Sequence, residues 1–172
     1  MDNNDALSQA SNRLSKVTDK LGSKVESILG LFTSIIGDDN ISEYELEMIR
    51  TSIELIDDSN LPSTKLLSTE LMSKLLRSKS DLTYIHTKLT ELRRTHSIPY
   101  NTLYNKYFTL STRKGLPSKQ AIESDMMFMH KEMSEYKSNI DDYDMLIGII
   151  DSYQSLIDMY MNILNSRRYD LG

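Results

Sequence analysis

Between Ser118 and Ser166 the apolar side chains return every three or four residues, a run that few folds can use. They are Ile122, Met126, Met129, Met133, Tyr136, Ile140, Tyr143, Ile147 and Ile150, then Ile157, Met161 and Leu164, with Gln154 the polar intruder. Alternating steps of three and four are the 3.5-residue repeat of a coiled coil. A helix over 118–166 would be about 70 Å long at a rise of 1.5 Å per residue. A compact domain of this size cannot enclose it, so it must pack along another long helix, from the same chain or from a second copy. Tyr136, Ile140, Tyr143, Ile147, Ile150, Ile157 and Leu164 are therefore the expected oligomerisation seam. Met126, Met127, Met129 and Met133 read as core, because Met fills irregular packing, or else as an adaptable surface for a partner.

The rest of the chain reads as shorter helices. Leu14, Val17, Leu21, Val25, Ile28, Phe32 and Ile35 predict an amphipathic helix ending near Ile36. Gly22 and Gly30 inside it each cost roughly 1 kcal/mol against Ala, so packing must support it. Gly37-Asp38-Asp39-Asn40 is a turn cluster. Ser42, three residues before Glu45, predicts a capping box. Leu46, Ile49, Ile53 and Ile56 line the helix that it starts. Residues 1–62 are thus expected to form an acidic helical hairpin, followed by a second region over 63–172. There, Leu67, Leu71, Leu75, Leu82, Ile85, Leu89 and Leu92 predict a third helix, with Ser78 filling the heptad step. Pro99 has no N–H and disfavours helical backbone at Ile98, so a break is expected near Ser97. Tyr100, Leu103, Tyr104, Tyr107 and Phe108 predict a short helix beyond it. Ser111 to Lys119, with Gly115 and Pro117, reads as a loop. The expected fold is all-α.

Several functions find no residues to carry them. The chain has no Cys, hence no disulfide framework, thiolate metal site or thiol nucleophile. Its glycines fit neither phosphate-cradling loop, and no GxSxG elbow occurs. His86, His96 and His130 have no metal-ligand spacing with acidic partners. Asp141, Asp142 and Asp144 read as a solvated helix face. No catalytic residue, metal site or cofactor is expected, and the chain does not read as an enzyme. No apolar run approaches the ~18 residues of a membrane span. The first residues lack the basic-then-apolar layout of a signal peptide. The expected compartment is the cytoplasm.

The net charge of -5 conceals a segregated pattern. Residues 1–62 hold 5 basic and 12 acidic side chains, and residues 120–166 hold 2 and 9. Between them, residues 63–119 hold 11 basic against 3 acidic. A local positive field can draw a polyanion whatever the total charge. The same cations can equally lie against the acidic last helix. Lys88, Arg93 and Arg94 precede Tyr100, Tyr104, Tyr107 and Phe108, and Lys106, Arg113 and Lys114 lie among or after those rings. Cations that track phosphates beside rings that stack on bases are the equipment of single-stranded nucleic acid binding. The rings, at three- and four-residue spacing, fit a core face as well. Lys88, Arg93, Arg94, Tyr104, Lys106, Arg113 and Lys114 are the candidate contacts.

A recurrent order of short motifs adds to this. Ser63-Thr64-Lys65-Leu66 starts a helix. Leu103-Tyr104-Asn105-Lys106-Tyr107-Phe108 and Ser111-Thr112-Arg113 follow, then Ser124-Asp125. A long acidic helix with Tyr136, Tyr143, Tyr153 and Tyr160 closes on Asn165-Ser166-Arg167-Arg168-Tyr169. In this order, residues from about 63 to 172 resemble the tailed-phage recombination mediators of the UvsY family. Tyr104 stands where the family has a basic residue, Thr112 and Arg168 stand where it has Gly, and residues 1–62 have no counterpart. The resemblance implies a small helical protein that forms a homo-oligomeric ring through its C-terminal helix. It implies binding to single-stranded DNA, contacts with a single-strand-binding protein and a RecA-like recombinase, and help in loading that recombinase in an infected cell. By motif position it carries Lys106, and with it Arg113, over as DNA contacts. The rival expectation is a structural or scaffolding protein, such as a virion component, that uses the long helix for assembly and the acidic hairpin for docking.

Overall fold

The computed structural model describes residues 22–57, 65–113 and 118–167, with side chains for 22–57, 68–110 and 118–167. Helix α1 covers 22–36, followed by α2 (Glu43–Asp57), α3 (Lys65–Arg113), α4 (Lys119–Met129) and α5 (Lys131–Arg167). No strand occurs among the described residues, so the fold is all-α with a long C-terminal helix. None of these helices is long and apolar enough to cross a membrane. The chain divides into two compact units. The first runs to Thr83 and resumes at Ser152, and the second is Tyr84–Asp151.

In the first unit, α1 and α2 form a hairpin. Gly37, at a φ of +82°, takes the left-handed conformation that closes a helix, and its N–H donates to the Thr33 carbonyl at 2.9 Å. The expected capping box forms. The Ser42 N–H donates to Glu45 Oε2 at 2.8 Å, and the Glu45 N–H donates to Ser42 Oγ at 3.2 Å. The buried stripe of α1 is Val25, Leu29, Phe32 and Ile36. It is rotated one residue from the expected Ile28 and Ile35, which are half-buried. Apolar residues stand at both 28 and 29 and at both 35 and 36, so spacing alone did not choose between the faces. Lys24 pairs with Asp57 at 2.9 Å and Arg50 pairs with Glu26, tying the hairpin across its rim.

In the same unit α3 and α5 run antiparallel. Lys79 pairs with Asp158, and four residues on, Gln154 Nε2 donates to Thr83 Oγ1 at 3.0 Å. The polar intruder of the apolar repeat is thus a cross-helix hydrogen bond. Ser78 is buried between Leu75 and Leu82, as the heptad step requires.

The second unit corrects two expected breaks. The helix does not break at Ser97; α3 continues through Pro99 to Arg113. Proline removes one ladder bond, but Leu89 before it and Tyr100 after it are buried, and this packing outweighs the loss. The expected 118–166 helix is instead interrupted at His130, whose φ of -130° and ψ of 98° are extended. Ser118 caps α4, accepting from the Ala121 N–H at 3.2 Å. The bend lets Met126 of α4 and Met133 and Ile140 of α5 enclose Tyr100 in one cluster.

The expected oligomerisation seam is used inside the chain. Ile140, Tyr143, Ile150, Ile157 and Leu164 are buried, and Tyr136 and Ile147 are half-buried. The partner that this long helix requires is α3 of the same chain, so these side chains are not on offer to a second copy.

Candidate nucleic-acid interface

The candidate residues sit on the part of α3 that lies in the second unit, and the structure sorts them. Arg93 is engaged: its Nε and Nη2 meet both carboxylate oxygens of Asp144 on α5, the second at 3.0 Å. The hydrogen bond to Asp144 raises its pKa above the ordinary guanidinium value. His86 faces Asp151 at 3.3 Å, so seven residues forward on α3 match seven back on α5. The reading in which the basic helix lies against the acidic one therefore holds for Arg93, as it does for Lys79 in the first unit.

Two other cations are solvent-facing. Arg94 and Lys106 are exposed and make no ion pair among the described residues. Lys88 is half-buried. Lys88 and Lys106 are 18 residues apart, five helical turns, so they share one side of α3 about 27 Å apart. The backbone of Arg113 ends α3, its side chain is outside the described residues, and so is the whole of Lys114.

The rings form a ladder. Tyr100 and Tyr104 stack at 6.3 Å with planes 10° apart, and Phe108 continues at 6.0 Å and 30°. Tyr100 is buried, and burial raises its pKa above 10.0. Tyr104 is half-buried and Phe108 is 40% exposed, so the outer two rungs reach solvent.

The structure does not bring Lys106 to these rings. Residues two apart on a helix point about 200° from each other, so Lys106 and Tyr104 face opposite ways. The cation that joins the ladder is Lys119 of α4, whose Nζ lies 6.0 Å from the Tyr104 ring centre. That is within cation–π reach. Lys119 is 15 residues from Tyr104 in sequence, on another helix, and no local spacing announces the contact. Asp125, also on α4, accepts the Tyr107 hydroxyl at 3.0 Å. This bond, more than burial, raises the Tyr107 pKa above 10.0. The Tyr107 ring meets His130 edge to face at 5.8 Å.

Two separate surfaces result. One carries the exposed Lys106 and suits a phosphate. The other carries Tyr104, Phe108 and Lys119 and suits a stacked base with a nearby phosphate. No group of three or more His, Asp or Glu able to hold a metal ion occurs among the described residues. The chain matches no protein-family model, no curated protein and no solved structure.

Proposed function

We propose that this protein is a non-enzymatic recombination mediator that binds single-stranded DNA and helps load a RecA-like recombinase. The observation that carries the reading is the Tyr104–Phe108 ladder, whose rungs reach solvent, on a helix whose Arg94 and Lys106 are exposed without ion pairs among the described residues. Rings take bases of any sequence, and cations take the backbone, so the surface favours a single strand over a duplex. The recombinase, the single-strand-binding protein, the homo-oligomeric ring and the cytoplasm of an infected cell belong to the proposal through the resemblance to the UvsY family. With the α5 seam filled within the chain, such an oligomer would have to use other surfaces.

The test is fluorescence anisotropy with labelled oligo-dT and with duplex DNA across salt, on protein whose mass is known from light scattering. Salt-sensitive binding that is stronger for the single strand supports the reading. No binding at low salt refutes it. A structural or scaffolding role is the second reading, favoured by the Lys79–Asp158 and Arg93–Asp144 pairs, which consume cations of the basic segment.

A further inference from the structure

We infer that α4 is a hinged arm that swings about His130 between the observed bent position and a straight extension of α5, and that straightening uncovers Tyr104 for a nucleobase. The ligand half of this inference rests on the single-stranded DNA reading; the hinge does not.

The bend is not written into the local sequence. No Gly or Pro occurs between Lys119 and Ile147, and the apolar repeat runs through the break without a change of phase. Ile122, Met126 and Met129 precede His130 in steps of four and three, and Met133, Tyr136 and Ile140 continue them. A chain with this repeat favours one helix. Starting α5 afresh at Lys131 takes first-turn N–H groups off the carbonyls that a continuous helix would supply, and the Met133 N–H turns to the His130 carbonyl at 3.0 Å instead.

The bend also leaves part of the helix-pair seam unfilled. On α3 the seam passes Ile85, Leu89, His96 and Tyr100 and steps on to Leu103, Tyr107 and Leu110. Leu110 is 48% exposed, and Met129 on α4 is 62% exposed, although both stand at seam positions. The pairs His86–Asp151 and Arg93–Asp144 fix the antiparallel register, and Tyr107 opposite His130 keeps it. Carried one turn further on a straight helix, that register sets Leu110 between Met126 and Met129. Straightening exchanges the present burial of Ile122 and Met126 for this seam and for a restored backbone ladder. An element with two such packings is a two-state element when a ligand can tip the balance between them.

The bent arm covers the ring surface. Lys119 lies over Tyr104, and Asp125 holds the Tyr107 hydroxyl. Asp125 at the Tyr107 hydroxyl and Glu123 near Tyr100 also bring negative charge to this surface. In the straight state the register keeps Tyr104 beside Met133, in the cluster that it already flanks, while Lys119 moves 14 residues beyond Met133, about 21 Å along the axis, and frees the ring face that it now covers. The link from Arg113 to Lys119 makes six Cα steps and can reach roughly 20 Å, enough to follow. A strand that stacks on Tyr104 binds the straight state better and shifts the population toward it.

The chain has no Cys, so Asn105→Cys with Gln120→Cys admits two nitroxide labels at exposed positions beside Tyr104 and Lys119. Pulsed electron-spin distances are measured on the full chain, diluted with unlabelled protein to remove contributions between copies. In the bent state the two positions are neighbours; in the straight state Gln120 lies 12 residues, about 18 Å along the axis, beyond the position opposite Asn105, so the distance is longer by roughly 10 Å. His130→Ala, which favours a continuous helix, is expected to raise the long population, and saturating oligo-dT is expected to do so with His130 in place. A single short distance in both samples overturns the hinge, even if oligo-dT binds. A long distance in His130→Ala with no oligo-dT binding keeps the hinge and overturns its ligand.

Discussion

Replacing Lys106 and Arg93 by Ala, one at a time, separates cations offered to a ligand from cations spent on the fold. Lys106 is exposed and makes no ion pair among the described residues, whereas Arg93 grips both oxygens of Asp144. Each phosphate contact on a single strand contributes about 0.7 to the slope of log affinity against log salt. Lys106→Ala should therefore flatten that slope by about 0.7. Between 50 and 200 mM salt this amounts to a roughly 2.6-fold change in the ratio of native to variant affinity. Arg94→Ala should do the same, because Arg94 is also exposed. Arg93→Ala should leave the slope unchanged. Its cost should appear in stability instead, and only at about 0.5 kcal/mol, since the pair is partly solvated. Anisotropy titrations of oligo-dT at five or six salt concentrations read the slopes, and urea melts read the stability. The reasoning is refuted if Arg93→Ala flattens the slope as much as Lys106→Ala, because an arginine committed to Asp144 would then be contacting phosphate.

Three further outcomes follow from packing and titration. A Cβ added at Gly30 or Gly148 meets nothing within 4 Å, so Gly30→Ala and Gly148→Ala should each stabilise by about 0.5–1 kcal/mol, read as a rise in the urea midpoint. Leu89 has 0% exposure, and Leu89→Ala should cost about 2–5 kcal/mol in the same assay. Tyr100, Tyr107 and Tyr143 have pKa values raised above 10.0, Tyr100 and Tyr143 mainly by burial and Tyr107 by its bond to Asp125. The unfolded chain loses these protons first, so their contribution to stability is complete below pH 10 and is lost as pH rises through the folded values. An ultraviolet titration of the folded protein should show tyrosines ionising above 10 that ionise near it in urea.

Periodicity made the helices legible and left their interruptions obscure. The Ser42–Glu45 box closes within one turn, and the α5 stripe and the buried Ser78 follow the helical repeat, both of which spacing encodes. Pro99 and His130 were missed in opposite directions for one reason. Proline has a strong local preference against helix, yet burial on both sides of Pro99 overrides it. His130 has no such preference, yet the clustering of Met126, Met133 and Ile140 around Tyr100 bends the chain there. In each case partners distant in sequence decide, and residue order does not reveal them. The candidate site was legible as a list of residue types but not as a geometry. Lys106 and Tyr104 are near neighbours in the chain and face opposite ways, while Lys119 reaches the Tyr104 ring from another helix.

The segregated charge then has two uses that need not compete. An antiparallel pair of long helices needs a register, and a one-step slip along a 3.5-residue repeat would still bury apolar side chains. Cross-helix pairs at Arg93–Asp144 and, in the first unit, at Lys79–Asp158 penalise such a slip. Register is the best-attested service of charges beside an apolar seam. Pairs that sit beside the seam are the ones so employed. Arg94 is one residue, about 100° of turn, away from Arg93 and is left exposed. The helical turn therefore divides the basic segment. The flank of the seam that holds Lys79 and Arg93 fixes how the helices meet, while Arg94 and Lys106 stay exposed.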